Sequence, residues 1–468
     1  MQYLSLSKLD SEYVKDISLS RHEPVWLQEY RKTSIDEYKK SPHETSPLYN
    51  KYTDANKMNQ DVICLSSESS TDVPLLIQNR IGELDNDELN VIQIGSNIHK
   101  ISIPEELRST GIIISSIHDA IQNNESVVHK SFQNIKSKIQ DKYTSLNNAA
   151  FDSGIFIDVP QNTKIDKPIH IIFCLNEKLS TISRNLINVR ENSNINIIQE
   201  VYATKTSTQN AYLELLDSYV SQNSKLNLTS LQIMNQNSIN FSTRHTNIEQ
   251  DGNANLYTGL FGSMLSRYKI NHHLIGTGSA INDYEVIFGD NNQSFDISSN
   301  VYHEKPSTSA KIIEKSILKD HSKSLFKGMI RINKNANKSR SFLSGRSILL
   351  SKDAKSDSIP SLEILTNDVK ATHSASVSQI DDELIFYLQS RCLNKRDAER
   401  IIIEGFLEPM SRSMSYQIRA WIAYLIESKW QNLDLTINTS EQLKKLIEVE
   451  ETRYNEKETE IDAHYKYR

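Results

Sequence analysis

From about residue 151 to residue 376 the chain repeats one local grammar. A polar turn rich in Asn, Gly, Ser or Asp is followed by a short apolar run with near period-2 alternation, as in "NSNINIIQEVYA", "NSKLNLTSLQIM", "DGNANLYTGLFG" and "KDHSKSLFKGMIRI". Alternation of this kind, bounded by turn residues, reads as strand. The turns recur irregularly, every ~15 to 30 residues, in or below the range of solenoid repeats. Almost no helical periodicity lies between them. A sandwich supplies as many strands. The recurring turn-then-strand unit, without Asn-Gly or Asp-Gly hairpins throughout, favours a parallel β-helix.

The flanks read differently. Residues 1–150 are expected to be mostly helical, with loops. In "RHEPVWLQEYRKTSIDEYKK", Pro24 sits where a first turn tolerates it, and Trp26, Leu27 and Tyr30 follow at helical spacing. "STGIIISSIHDAIQNNESVVHKSFQ" reads as a short strand and then a helix through Ile117, Ala120 and Ile121. "ESSTDVPLLIQNRIGELDNDELN" reads as polar and partly mobile. Residues 377–468 turn helical. Asp381 caps a helix with Leu384, Tyr387 and Leu388 on one face, and Asn394 caps a second with Ala398, Ile401 and Ile402. A third helix carries the stripe Ile418, Trp421, Ile422, Leu425 and Ile426, and the charged tail is expected to be solvated.

Several function classes are disfavoured. The 468 residues carry a net charge of -6, which argues against a nucleic-acid binder. No apolar run approaches the ~18 residues of a membrane span, and no secretory signal is visible, so a cytoplasmic protein is expected. There is no phosphate-binding loop of the P-loop type, no HExxH and no GxSxG. Gly276–Gly278 reads as a strand turn rather than a dinucleotide loop. The adjacent His272 and His273 would point to opposite faces of a strand, one packed and one solvated. Cys64, Cys174 and Cys392 are scattered and cannot supply the four thiolates of a common iron–sulfur cluster. Cys64 reads as a loop residue and Cys174 as a buried small hydrophobe. His373 stands between the small residues Thr372 and Ser374, at the seam where strand gives way to helix. Neutral imidazole is a common metal ligand, and a satisfied structural histidine fits the same residues.

Five ordered segments together resemble the SufB/SufD family of the Suf iron–sulfur cluster assembly machinery. They are "HEPVWLQEYR", "GIIISSIHDAIQNNESVVHKSF", "NAAFDSGIFIDVPQNTKIDKPIHIIF", "HEKPSTSAKIIEKSILKDHSKSLFKGMIRI" and, most specifically, Leu349 to Pro409. The resemblance is weakest over residues 41–95 and the last twenty or so.

It implies a mainly β fold with a right-handed parallel β-helix core (151–376), an N-terminal helical region (1–150) and a C-terminal α-helical domain (377–468). It further implies a non-catalytic subunit that pairs through its β-helix with a SufB-like paralogue or with itself. The C-terminal helices would bind the ABC-type ATPase SufC, with contacts expected from Ser390, Arg391, Leu393, Asp397, Arg400, Glu404, Phe406 and Pro409. His373 is then the candidate ligand to iron or to a transient iron–sulfur cluster at the subunit interface, with none bound permanently by this chain. D-type members often read Lys-Cys-Ser/Thr-His where this chain has Lys370-Ala371-Thr372-His373. B-type members commonly flank the histidine with acids and carry a cysteine near Gly345, and neither is present. The chain therefore looks closest to SufD. The alternatives are a SufB-type scaffold that itself holds the nascent cluster, a structural β-solenoid, and a polysaccharide-acting β-helix protein.

Overall fold

The computed structural model describes residues 3–42, 55–66, 73–82, 89–134, 141–175, 179–411, 414, 416–433 and 445–452. From Ile155 to Gln379 successive strands alternate between two sheets, so each turn of the chain adds one strand to each. Within this stretch every neighbouring pair is parallel and in unbroken register, as in Asn210–Val220 on Ser238–Ile248. The result is a parallel β-solenoid of about eight turns, with one nine-stranded and one ten-stranded sheet.

The repeat is set at the corners. Asn162, Asn192, Asn223, Asp251, Ser307 and Lys338 all adopt positive φ, and Gly278 takes the same conformation between them. Asn and Asp tolerate this left-handed geometry better than other residues with a Cβ, which is why the turns are rich in them. Gly276 has a further reason to be glycine: a Cβ there would lie 1.9 Å from the backbone nitrogen of Gln250. Stacked asparagines tie the turns together. Asn223 donates to Asn192 at 2.8 Å, and Asn192 to Asn162 at 3.1 Å. A second ladder runs from Asn282 through Asn255 to Asn227. These partners lie 27 to 31 residues apart, the length of one full turn of the solenoid.

Alternation divides each strand. Inward side chains such as Leu226, Leu256, Ile281, Ile312 and Leu343 form the solenoid's own core. Outward apolar residues of the nine-stranded sheet, including Leu213, Phe241 and Leu265, are covered by N-terminal helices through Leu27, Ile35 and Leu146. Those of the ten-stranded sheet, including Phe261, Phe288 and Ile317, are covered by the C-terminal helix Tyr416–Trp430. Its expected stripe of Ile418, Trp421, Ile422, Leu425 and Ile426 is buried there.

Several expectations change. The first 150 residues are not only helix and loop. Strand Leu89–Ile94 pairs in parallel with Ile169–Leu175 and Asn97–Ser102 adds to it antiparallel, while the short strand expected in "STGIIISS" is Ile113–Ser116, which adds antiparallel to Ile155–Val159. Leu89–Ile94 is buried on both faces and so lacks alternation. Of the segment read as polar and mobile, Leu75–Ile81 is helical, while residues 67–72 and 83–88 lie outside the described residues. The helix Lys395–Ser411 buries Ala398, Ile403, Leu407 and Met410, whereas Ile401 is exposed. Three consecutive isoleucines cannot share one face, and the sheet selects the third.

Cys64 pairs within the short strand Cys64–Ser66 against Tyr3–Ser5 rather than lying in a loop. Cys174 is buried as expected, and burial pushes its thiol up to about 12. No helix of the described residues is long and apolar enough to cross a membrane.

Candidate functional site at the open end of the solenoid

The two ends of the solenoid are finished differently. The antiparallel strands Asn97–Ser102 and Ile113–Ser116 close the N-terminal end. At the other end, Lys355–Ile364 and Val369–Gln379 are the last strands of their sheets, with no further strand among the described residues. Both are solvated along most of their length, and Ile359, Ile364, Leu365 and Val377 are exposed apolar residues at this end.

His373 lies in the last strand, in register with Leu343, which is itself in register with the core residue Ile312. It therefore occupies an inward column at the solenoid's mouth, and it is exposed because no later turn covers it. Ala371, two residues earlier and on the same face, packs against the solenoid core. Gly345, where a B-type cysteine would fall, also belongs to the inward set, in register with Glu314 and Ala375. The sequence places all three positions on one lining; only the register reveals it. Among the described residues no group of three or more His, Cys, Asp or Glu side chains is arranged to hold a metal.

The two free edges differ in hydrogen-bonding capacity. The amides of Lys355 and Leu365 donate back to Ser322 and Ile332. By strand alternation Pro360, between them, occupies a position that faces away from the sheet, where it has no amide to offer. In the other sheet, Arg340 and Leu350 donate back to Thr308 and Leu318, and the register Arg340↔Lys370 carries the same phase into the last strand. Val369, Ala371, His373, Ala375 and Val377 thus turn their N–H and C=O groups outward, with no proline among them. One edge is blunted and the other is intact.

The helix Asp382–Ser390 follows directly, capped by Asp381, which accepts from the Glu383 amide at 2.9 Å. It buries only Ile385. Leu384 and Tyr387, placed on one helix face by their spacing, face solvent together with Phe386, whose exposure of 73% is the largest of any described hydrophobic side chain of its size.

Of the residues expected to contact an ATPase, Ser390, Arg391, Glu404 and Pro409 are exposed, and Leu393, Asp397, Arg400 and Phe406 are half-buried. Asp397 pairs with Asn394, whose side chain caps the helix by accepting from the Asp397 amide. Phe406 is turned toward the ten-stranded sheet, where its ring and carbonyl meet Lys315. The exposed apolar group Leu384, Phe386, Tyr387 and Ile401 was not anticipated. Its signal is the apolar face that Leu384 and Tyr387 share, whose period does not say what the face meets.

The adjacent histidines separate as alternation requires. His272 is fully buried against Asp283 at 2.8 Å, and half-buried His273 stacks on Tyr302 and meets Glu304 at 3.0 Å.

Comparison with known proteins accounts for this layout. Residues 173–406 match the family model of the SUF system FeS cluster assembly SufBD core domain, and residues 2–171 match that of the SufBD protein N-terminal region. The chain belongs to the SufBD family of iron–sulfur cluster assembly proteins. An iron-sulfur cluster assembly SufBD family protein of Staphylococcus saprophyticus is 27% identical over 434 residues, covering 90% of this chain and 92% of that protein. One from Staphylococcus aureus strain MRSA252 is also 27% identical over the same shares of both chains. Within the SufBD chain the core-domain match ends inside the helix Lys395–Ser411. It thus spans the open end, His373 and the exposed helix after it.

Proposed function

We propose that this SufBD-family chain is a SufD-type, non-catalytic subunit of a SufBCD complex, paired with a SufB-like paralogue through the open end of its solenoid. The single observation that carries this reading is the asymmetry of the ends: one capped, the other offering an intact strand edge with His373 on it. An unpaired edge with exposed apolar neighbours is a template for strand addition. A second solenoid of the same family presents a matching edge. Iron or a nascent cluster is the cargo of this interface. His373 supplies one imidazole, and the remaining ligands come from the partner and from sulfide, because Ala371 and Gly345 bring no thiol. The exposed helix Asp382–Ser390 is the docking surface for a SufC-like ATPase, with Phe386 as the central anchor.

Co-expression with the host's SufB-like and SufC-like proteins tests the whole reading. A stable stoichiometric complex is expected, and failure to retain either partner would overturn the corresponding half. A chain that retains iron and sulfide without a B-type partner would instead be a SufB-type scaffold. Within the assembled complex, His373→Ala is expected to remove most of the bound iron and sulfide while leaving subunit stoichiometry unchanged. Unaltered metal and sulfide content would return His373 to a structural role. Phe386→Asp is expected to weaken ATPase binding by about 2 kcal/mol or more, roughly 30-fold, as loss of an interface anchor does. Because Phe386 is mostly exposed in the isolated chain, its thermal midpoint should not move, and calorimetric titration with the ATPase reads the difference.

A further inference from the structure

Inside the solenoid lies a set of ionisable groups that pairing and docking do not use. Facing inward from Asn210–Val220 and Ser238–Ile248 are Glu214 and Arg244, joined at 3.0 Å. From Leu265–Leu274 and Ala280–Gly289 come His272 and Asp283, joined at 2.8 Å. Glu214 and Asp283 thus each have a basic partner. His303, the next inward histidine, is bonded to Thr308 at 2.7 Å, and burial lowers its pKa to about 4, so it is neutral.

Two further carboxyls have no such partner. Glu285 and Glu314 are in register on adjacent turns, at the spacing of neighbouring strands. They are 0% and 1% exposed and have no basic side chain as partner; the Ser299 hydroxyl lies beside Glu285, and the Ser316 hydroxyl and the Arg346 backbone lie beside Glu314. The next position along this column is Gly345, which brings no side chain. A cavity of about 10 Å³, room for about one water, touches Arg244, Thr258 and Asp283, but neither Glu285 nor Glu314 lines it.

Two carboxylates cannot both remain ionised in such a place. Each would forgo its hydration, and each would repel the other. The lone guanidinium nearby, Arg244, is already engaged by Glu214, Ser242 and Ser230. We infer that Glu285 and Glu314 form a buried proton-binding site in the solenoid lumen, with both carboxyls protonated at neutral pH. Supporting this, burial raises Glu314 from 4.5 to about 8, and burial followed by the Asp283 charge raises Glu285 well above its ordinary value.

The consequence is a defined pH dependence. Between the unfolded value of 4.5 and the folded value of about 8, the native chain holds a proton at Glu314 that the unfolded chain has released. Stability contributed by this site is therefore full below 4.5 and declines as pH rises through that window.

Thermal unfolding of the full chain and of Glu285→Gln, Glu314→Gln and the double variant, from pH 5 to 9, tests this. The wild-type midpoint should fall with rising pH, and the variants should flatten that decline, with the largest gain at pH 9. Gln variants that lose stability equally at every pH would overturn the proposal. So that the result does not depend on the variants folding, infrared spectra of the wild-type chain at pH 7.5 should contain a protonated-carboxyl stretch that disappears by pH 10. Absence of that band, or a band that addition of potassium or magnesium abolishes at pH 7.5, would mean ionised carboxylates holding a cation, and would refute it.

Discussion

Ala375→Pro is expected to weaken the proposed pairing with a SufB-like subunit by about 5- to 150-fold while leaving the proposed ATPase binding intact. The reasoning is positional. Ala375 is the next residue after His373 whose backbone faces outward from the last strand, and its amide is not used within that sheet. Proline there removes a donor that only a partner strand would engage. An acceptor left unmet in a buried interface costs about 1–3 kcal/mol, which corresponds to roughly a 5- to 150-fold loss in affinity. Two controls make the result specific. Ser374→Pro should damage the chain itself, because by the same alternation the Ser374 amide points back to the strand Ser339–Leu349, where its hydroxyl also meets Ser344 at 2.9 Å. Pro360→Ala should leave pairing unchanged or tighten it, since it restores a donor to the blunted edge. Analytical ultracentrifugation of the mixed subunits reads all three. If Ala375→Pro pairs as the wild type does, the outward edge of Val369–Gln379 is not the docking strand.

That edge illustrates what could be read from the sequence. The β-helix was legible because its turns need left-handed residues and its strands alternate, and both leave marks in "NSNINIIQ" and "DGNANLYT". The helix Tyr416–Trp430 was legible because its stripe covers a full set of helical positions and does pack. His373 was singled out by its place at a seam. Its inward column, and its neighbourhood with Ala371 and Gly345, depend on register between turns, which a single sequence does not encode locally.

Leu384 and Tyr387 show the complementary limit. Periodicity reports that a helix has an apolar face, but not whether that face meets this chain or another. Leu89–Ile94 failed for a third reason. Buried on both sides, it lost the alternation that marks a strand. The lumen carboxyls are not legible in the sequence because Asp283, Glu285 and Glu314 are ordinary charges in alternating strands. Only the closed solenoid reveals that the alternate face is interior.

The N-terminal motif "HEPVWLQEYR" carries the second large effect, because two of its residues, Glu23 near the start and Arg31 at the end, meet in the interior. Arg31 is fully buried. Its Nε and one Nη each donate to a Glu23 carboxylate oxygen at 2.8 Å, and it also donates to the carbonyls of Ala149 and Phe151 while lying 3.7 Å over the Phe151 ring. One side chain thus fastens the helix Val25–Lys40 to the segment that enters the solenoid. Arg31→Ala would leave the buried Glu23 carboxylate without its cation, keeping only the Ser18 hydroxyl, would remove a donor from the Ala149 and Phe151 carbonyls, and would open space beneath Phe151. Breaking a buried pair from one side costs about 3–5 kcal/mol, and chemical denaturation should show a loss of that size. The double variant Glu23→Gln/Arg31→Met should recover part of it, because no unpaired charge then remains inside. The coupling between the two sites, taken from the full double-mutant cycle, is expected to exceed 1 kcal/mol, the upper end for exposed pairs. Additive single-variant effects would mean that Glu23 and Arg31 are each held by their other neighbours, and that the two residues are not a unit.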